Sequence, residues 1–167
     1  KDPGALGGDL NHTEAIQNLN LAKTLKTELQ SIGATVTLTR ESNITSSTDD
    51  KIQKLKALKP DYCIAIHHNA STNKSKSGFS AHFFHPFSKM PADKIFIPSS
   101  QSGLYKGNEI NWHRYFMARC YYCPVVLTEN GYMSNAYDYG NIINQNYNVG
   151  KAKALTKGIV DYFFAIQ

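Results

Sequence analysis

With 167 residues, the chain is sized for one domain that buries a core of its own. Its 41% hydrophobic and 19% charged composition excludes wholesale disorder, and no apolar run approaches the roughly 18 residues of a membrane-spanning helix. The net charge of +5 comes from scattered lysines, which suits solvated faces or attraction to an anionic envelope polymer; nothing resembles a nucleic-acid module.

The opening stretch, KDPGALGGDL, has no hydrophobic signal-peptide core. From Asn11 to Ile32, apolar residues (Ile16, Leu19, Ala22, Leu25, Leu29, Ile32) recur every three or four positions. That spacing predicts a helix, with Asn11 as N-cap and Gly33 where a helix end favours positive φ. ATVTLTR (34–40) alternates apolar residues with threonines and predicts a half-buried strand. After a polar loop, Asp49 and Asp50 open a second helix over 48–59, with Ile52, Leu55 and Leu58 as its stripe and Pro60 as its stop. YCIAI (62–66) is the next strand, and two strands joined by such a helix should pair in parallel.

GFSAHFFH (78–85) alternates like a further strand, whereas three prolines and several serines make 86–103 a loop. PVVLTE (124–129) is a strand with proline at its first position. The last helix, 148–165, puts Ala152, Leu155, Ile159 and Phe163 on one face. The predicted fold is α/β: one three-layer α/β/α domain over 1–167, with a mostly parallel mixed sheet flanked by helices.

In such sheets, function gathers beyond the carboxyl ends of the strands. Two polar clusters stand there, His67-His68-Asn69 and Thr128-Glu129-Asn130. Strand alternation sends the two imidazoles to opposite faces, so only one of them can join Glu129. By the same rule His82 and His85 do not form a joint metal site in a strand. Cys63 reads as a small core residue, and Cys120-x-x-Cys123, without a second such pair or a thioredoxin-like context, as unligated thiols, with a strained disulfide between them as the alternative. Aromatics at Phe83, Phe84, Phe87 and Trp112 fit either a groove border or a core.

Five stretches occur in a specific order: DPGA (2–5), EAIQNLNLA (14–22), LTR (38–40), AIHHNA (65–70) and VVLTENGYMSN (125–135). Together they resemble the zinc-dependent N-acetylmuramoyl-L-alanine amidases, the catalytic domains of autolysins and phage endolysins. The resemblance implies a zinc-exopeptidase-like fold and hydrolysis of the amide between N-acetylmuramic acid and L-alanine in peptidoglycan. It implies Zn2+ held by Glu14 and His67, with Glu129 as the catalytic carboxylate and Asn69 and Asn130 as substrate contacts. His68 stands where the family usually has a small residue. A monomer is expected, acting outside the cell or at the wall, as a secreted autolysin or a released lysin.

The family pattern also has a His-Gly-Gly just before the position of Asp2. The resemblance therefore puts a first ligand and a first strand outside the given chain, with the N-terminal edge of the domain truncated. His12 is a weak substitute for that ligand. The pattern further has a longer segment, with a helix, between the strands matching GFSAHFFH and PVVLTE, and the proline-rich 86–111 looks too short for it. Glu14, three residues after Asn11, also has the spacing of a capping box, and Glu129 could instead pair with Arg40 or Arg119. A peptidoglycan-binding domain that has lost the metal, or a zinc exopeptidase on related peptides, are the competing readings.

Overall fold

The computed structural model describes residues 3–7 and 10–167, so Asp2 of the DPGA stretch lies outside the described residues. Four strands form one sheet in the order β1-β4-β2-β3: β1 (Cys63–Asn69), β2 (Phe79–Phe83), β3 (Asn108–Trp112) and β4 (Val125–Tyr132). β1 pairs with β4 and β2 with β3 in parallel, while β2 and β4 run antiparallel. Five helices surround it: α1 (Glu14–Ser31), α2 (Thr48–Leu58), α3 (Lys89–Gln101), α4 (Ala136–Ile142) and α5 (Gln145–Ala165).

Alternation along the strands divides the sheet into two faces. On one, Ile64, Ile66, Val126, Phe79, Ala81 and Ile110 meet Leu21, Leu25 and Leu29 of α1, Ala92 and Ile95 of α3, and Ala152, Leu155 and Ile159 of α5. Each such leucine or isoleucine contributes about 1.5–3 kcal/mol by leaving water. On the other face Cys63, Ala65 and Val125 pack with Leu55 of α2, Met117, Cys120 and Cys123. The three thiols are free, and burial followed by the neighbouring Cys120 pushes Cys123 up to about 11. Among the described residues no helix is long and apolar enough to cross a membrane.

Three local expectations change. Residues 34–38 join no ladder. Val36 packs against the larger core, and the Leu38 carbonyl accepts from Lys54 Nζ at 2.7 Å, so α2 rather than a neighbouring strand meets this backbone. The parallel partner of β1 is accordingly β4. Second, Asn11 lies in a short 3-10 turn and the N-cap of α1 is Thr13, which makes Glu14 the first helical residue. A capping box needs its acid at the third position, so Glu14 is free for other work. Gly33 does take the positive φ expected there, +92°.

Third, the proline-rich stretch from residue 89 is a helix, α3, rather than a loop. Pro91 falls in its first turn, where backbone N–H groups have no intrahelical acceptor anyway. Pro98 takes a donor from the Lys94 carbonyl one turn earlier. That carbonyl sits against Gly158 of α5, where an added Cβ would come within 2.7 Å of it. Ala92, Ile95 and Ser99 keep the buried stripe at helical spacing, and core packing outweighs the proline penalty.

Candidate active site

The register of the sheet builds the site. His67 on β1 stands opposite Glu129 on β4, Glu129 opposite Ser80 on β2, and Ser80 opposite Glu109 on β3. One polar row therefore crosses all four strands on the face that also carries α2. Glu14 reaches it from the first turn of α1: its Oε1 lies 2.9 Å from His67 Nδ1 and accepts from Asn18 Nδ2 at 3.1 Å. Its Oε2 accepts from the Ala5 amide at 2.9 Å.

The DPGA stretch has a physical role in this. Gly4 takes φ +68°, and a Cβ there would fall 2.5 Å from Glu14 Oε2. A glycine lets the loop close over the carboxylate, and the loop is fixed to α1 by Glu14 and Ala15 amides that donate to the Ala5 and Pro3 carbonyls.

The two acids are tuned apart. Burial opposes ionisation of Glu14, but hydrogen bonds from His67, the Ala5 amide and Asn18 outweigh it and hold the carboxyl down at about 2. Burial dominates at Glu129 and pushes it up to about 7, only partly countered by His67. Its Oε2 is buried with no hydrogen-bond partner among the described residues. The ion pairs considered for it do not form: Arg40 donates to the Ala15 and Ser42 carbonyls, and Arg119 lies over the Phe116 ring. One ionised acid, one acid poised near neutrality and an imidazole in one row form a set suited to metal binding and proton transfer.

The remaining sequence-derived residues divide. His68 turns to the opposite face, is 2% exposed, and places Nδ1 2.7 Å from Asn18 Oδ1. Asn69 Oδ1 accepts from the Ala70 amide at the rim of the site. Asn130 is wholly buried: its Nδ2 donates to the His67 carbonyl and to Thr128, and its Oδ1 accepts from the Tyr105 hydroxyl. A substrate contact does not fit that burial; Asn130 ties β1 to β4 directly behind the site. His82, buried beside the polar row, bonds through Nε2 to Ser80 Oγ at 2.8 Å and meets the Tyr115 ring edge-on. His85 is apart from it, its Nε2 donating to the Arg119 carbonyl at 2.9 Å. Phe83 joins the core, while Trp112 is exposed and tilts against Phe84.

Sequence reasoning missed Asn18, Ser80 and Tyr115, and the contacts of Asp138 and Ser134. Asp138 of α4 accepts from the Gly78 and Tyr132 amides, and Ser134 Oγ accepts from the Ser71 amide. Helix spacing does place Asn18 one turn after Glu14, which is the one signal that could have flagged it.

Two ligands on a tetrahedral zinc, each about 2.0–2.1 Å from the metal, stand roughly 3.3 Å apart. Glu14 Oε1 and His67 Nδ1 are close to that spacing, so this pair fits such an ion, although no cluster of three metal-binding side chains occurs among the described residues.

The fold is a mixed α/β domain in which helices flank a four-stranded sheet, with Glu14, His67 and Glu129 gathered on one face of it. The comparisons narrow this. A family model described as N-acetylmuramoyl-L-alanine amidase matches residues 1–161. The probable cell wall amidase LytH of Staphylococcus saprophyticus is 28% identical over 97% of this chain and 57% of its own length. The N-acetylmuramoyl-L-alanine amidase LytC of Bacillus subtilis is 25% identical over 98% of this chain and 33% of its own. An N-acetylmuramoyl-L-alanine amidase structure from Clostridium difficile superposes with a TM-score of 0.93 at 22% identity, covering 100% of this chain and 92% of that one. This chain belongs to the N-acetylmuramoyl-L-alanine amidase family. It spans about half or less of the length of those two curated relatives.

Proposed function

We propose that this domain hydrolyses the amide between N-acetylmuramic acid and L-alanine in peptidoglycan, at the cell wall, with zinc as its metal. The observation that carries the reading is the polar row: Glu14 against His67, and Glu129 in register beside them with an orphaned buried oxygen. Glu14 and His67 would hold the ion. Zinc, when bound, supplies Lewis acidity toward the scissile carbonyl and makes a water acidic enough to act near neutral pH.

The chain's own groups do the rest. Glu129 takes the proton of the attacking water and passes one to the departing amine of L-alanine, a transfer suited to a carboxyl poised near neutrality. Asn18 and the Ala5 amide keep the Glu14 carboxylate in place, with its Oε1 beside His67 Nδ1. Ser80 and His82 line the row beyond Glu129, toward β3. A basic chain is drawn to an anionic wall polymer.

Metal analysis of the chain after zinc loading and gel filtration tests the ligand pair. One equivalent of zinc that falls away in Glu14→Ala and His67→Ala is the expected result, and zinc that remains in both would remove the ligand assignment. Because no three-ligand cluster occurs among the described residues, the second reading is a wall-binding domain without metal. It predicts peptidoglycan binding with no zinc and no new amino termini.

A further inference from the structure

His68 is the residue that the metal and the chemistry leave unused, and it is buried at 2% exposure in the middle of the domain. Its surroundings carry an argument by elimination. An ionised carboxylate only accepts hydrogen bonds, so Asn18 must present its amide nitrogen to Glu14 Oε1, as the 3.1 Å contact has it. The Asn18 oxygen then faces His68 Nδ1 at 2.7 Å. An amide oxygen also only accepts, so the hydrogen between them belongs to His68. His68 Nε2 is left as an acceptor, buried without a partner among the described residues. Lys151 of α5, 1% exposed and likewise without a partner for Nζ among them, acts on His68 electrostatically. Burial, and after it that cation, disfavours a charged ring.

We propose that His68 is a positioning residue: its Nδ1–H fixes the Asn18 side-chain amide in the one orientation that supports the Glu14 carboxylate as a metal ligand. This rests on the zinc reading of Glu14. The chain of contacts runs His68, Asn18, Glu14, His67, and links the two faces of the sheet through the first turns of α1. Without the His68 donor, the Asn18 amide is free to turn its oxygen toward Glu14, acceptor against acceptor. Hydrogen-bond partners behind a metal ligand typically change metal affinity 10–100-fold when removed.

Two measurements test it. Long-range proton–nitrogen NMR on the metal-free chain reads the His68 ring directly; the Nδ1–H tautomer is expected, and an Nε2–H tautomer overturns the proposal whatever the domain catalyses. Zinc affinity by chelator competition is then compared across variants with the melting temperature of each. His68→Leu should bind zinc about ten-fold or more weakly, and His68→Asn, whose amide nitrogen stands where Nδ1 does, should recover most of that loss. Equal zinc affinity in a folded His68→Leu overturns it, and if that variant does not fold, the tautomer decides. A wild-type chain that binds no zinc sinks the metal reading instead, and leaves the tautomer to decide whether His68 orders Asn18.

Discussion

Glu129, the proposed base, sits where water scarcely reaches, and burial pushes its pKa up to about 7. Glu129→Gln keeps the shape and removes the base. We expect peptidoglycan hydrolysis to fall about 10²–10⁴-fold with bound zinc unchanged, measured as released amino termini and as metal per chain. Loss of zinc along with activity would instead make Glu129 a ligand. At Gly4, alanine would place a Cβ 2.5 Å from Glu14 Oε2 in a left-handed backbone conformation. Gly4→Ala should therefore weaken zinc binding by about ten-fold, read by chelator competition, whereas a merely flexible loop would tolerate it. At this scale the sequence was legible where order carried information: Glu14, His67 and Glu129 are named by motif and meet as expected in one row. Asn18 and His68 were not, because their contact spans 50 positions and no local pattern reports it.

Among the elements, α1, α2 and α5 were legible because their apolar residues recur at helical spacing, β2 because its aromatics alternate, and β1 and β4 because each holds a short apolar run. α3 was hidden by its two prolines, Pro91 and Pro98, with Pro86 just before it, which local propensity reads as loop while the buried stripe of Ala92, Ile95 and Ser99 holds the helix. β3 (NEINW) exposes four of its five residues at the sheet edge and so shows little apolar alternation. The α3–α5 contact depends on Gly158: a Cβ there would meet the Ile95 Cα at 2.5 Å and the Lys94 carbonyl at 2.7 Å, both backbone. Gly158→Ala should cost about 1–3 kcal/mol in urea unfolding, although alanine is the better helix former.

α5 also carries Lys151 into the core. Burial lowers its pKa from 10.5 to about 8, with Asp138 only partly opposing. Below pH 8 both folded and unfolded chains hold the proton, and the fold bears the full cost of a buried ammonium. Between 8 and 10.5 the folded chain sheds it first, so stability rises with pH. Wild type should therefore gain roughly 3 kcal/mol relative to Lys151→Met across that window. A constant difference between the two proteins would mean that Lys151 is not held in that state.

At the scale of the whole molecule, one sheet with a helical layer on each side brings the loop over Glu14, the end of β1 and the end of β4 to one edge. The α/β/α layering was readable from the alternation of helix and strand patterns. The sheet order β1-β4-β2-β3 was not, because register and neighbours are set by long-range packing. Zinc-loaded chain incubated with purified peptidoglycan should release stem peptides whose new amino terminus is L-alanine, while Glu129→Ala, loaded the same way, should release none. Zinc-loaded wild-type chain that leaves the amino termini unchanged would contradict the proposed hydrolysis.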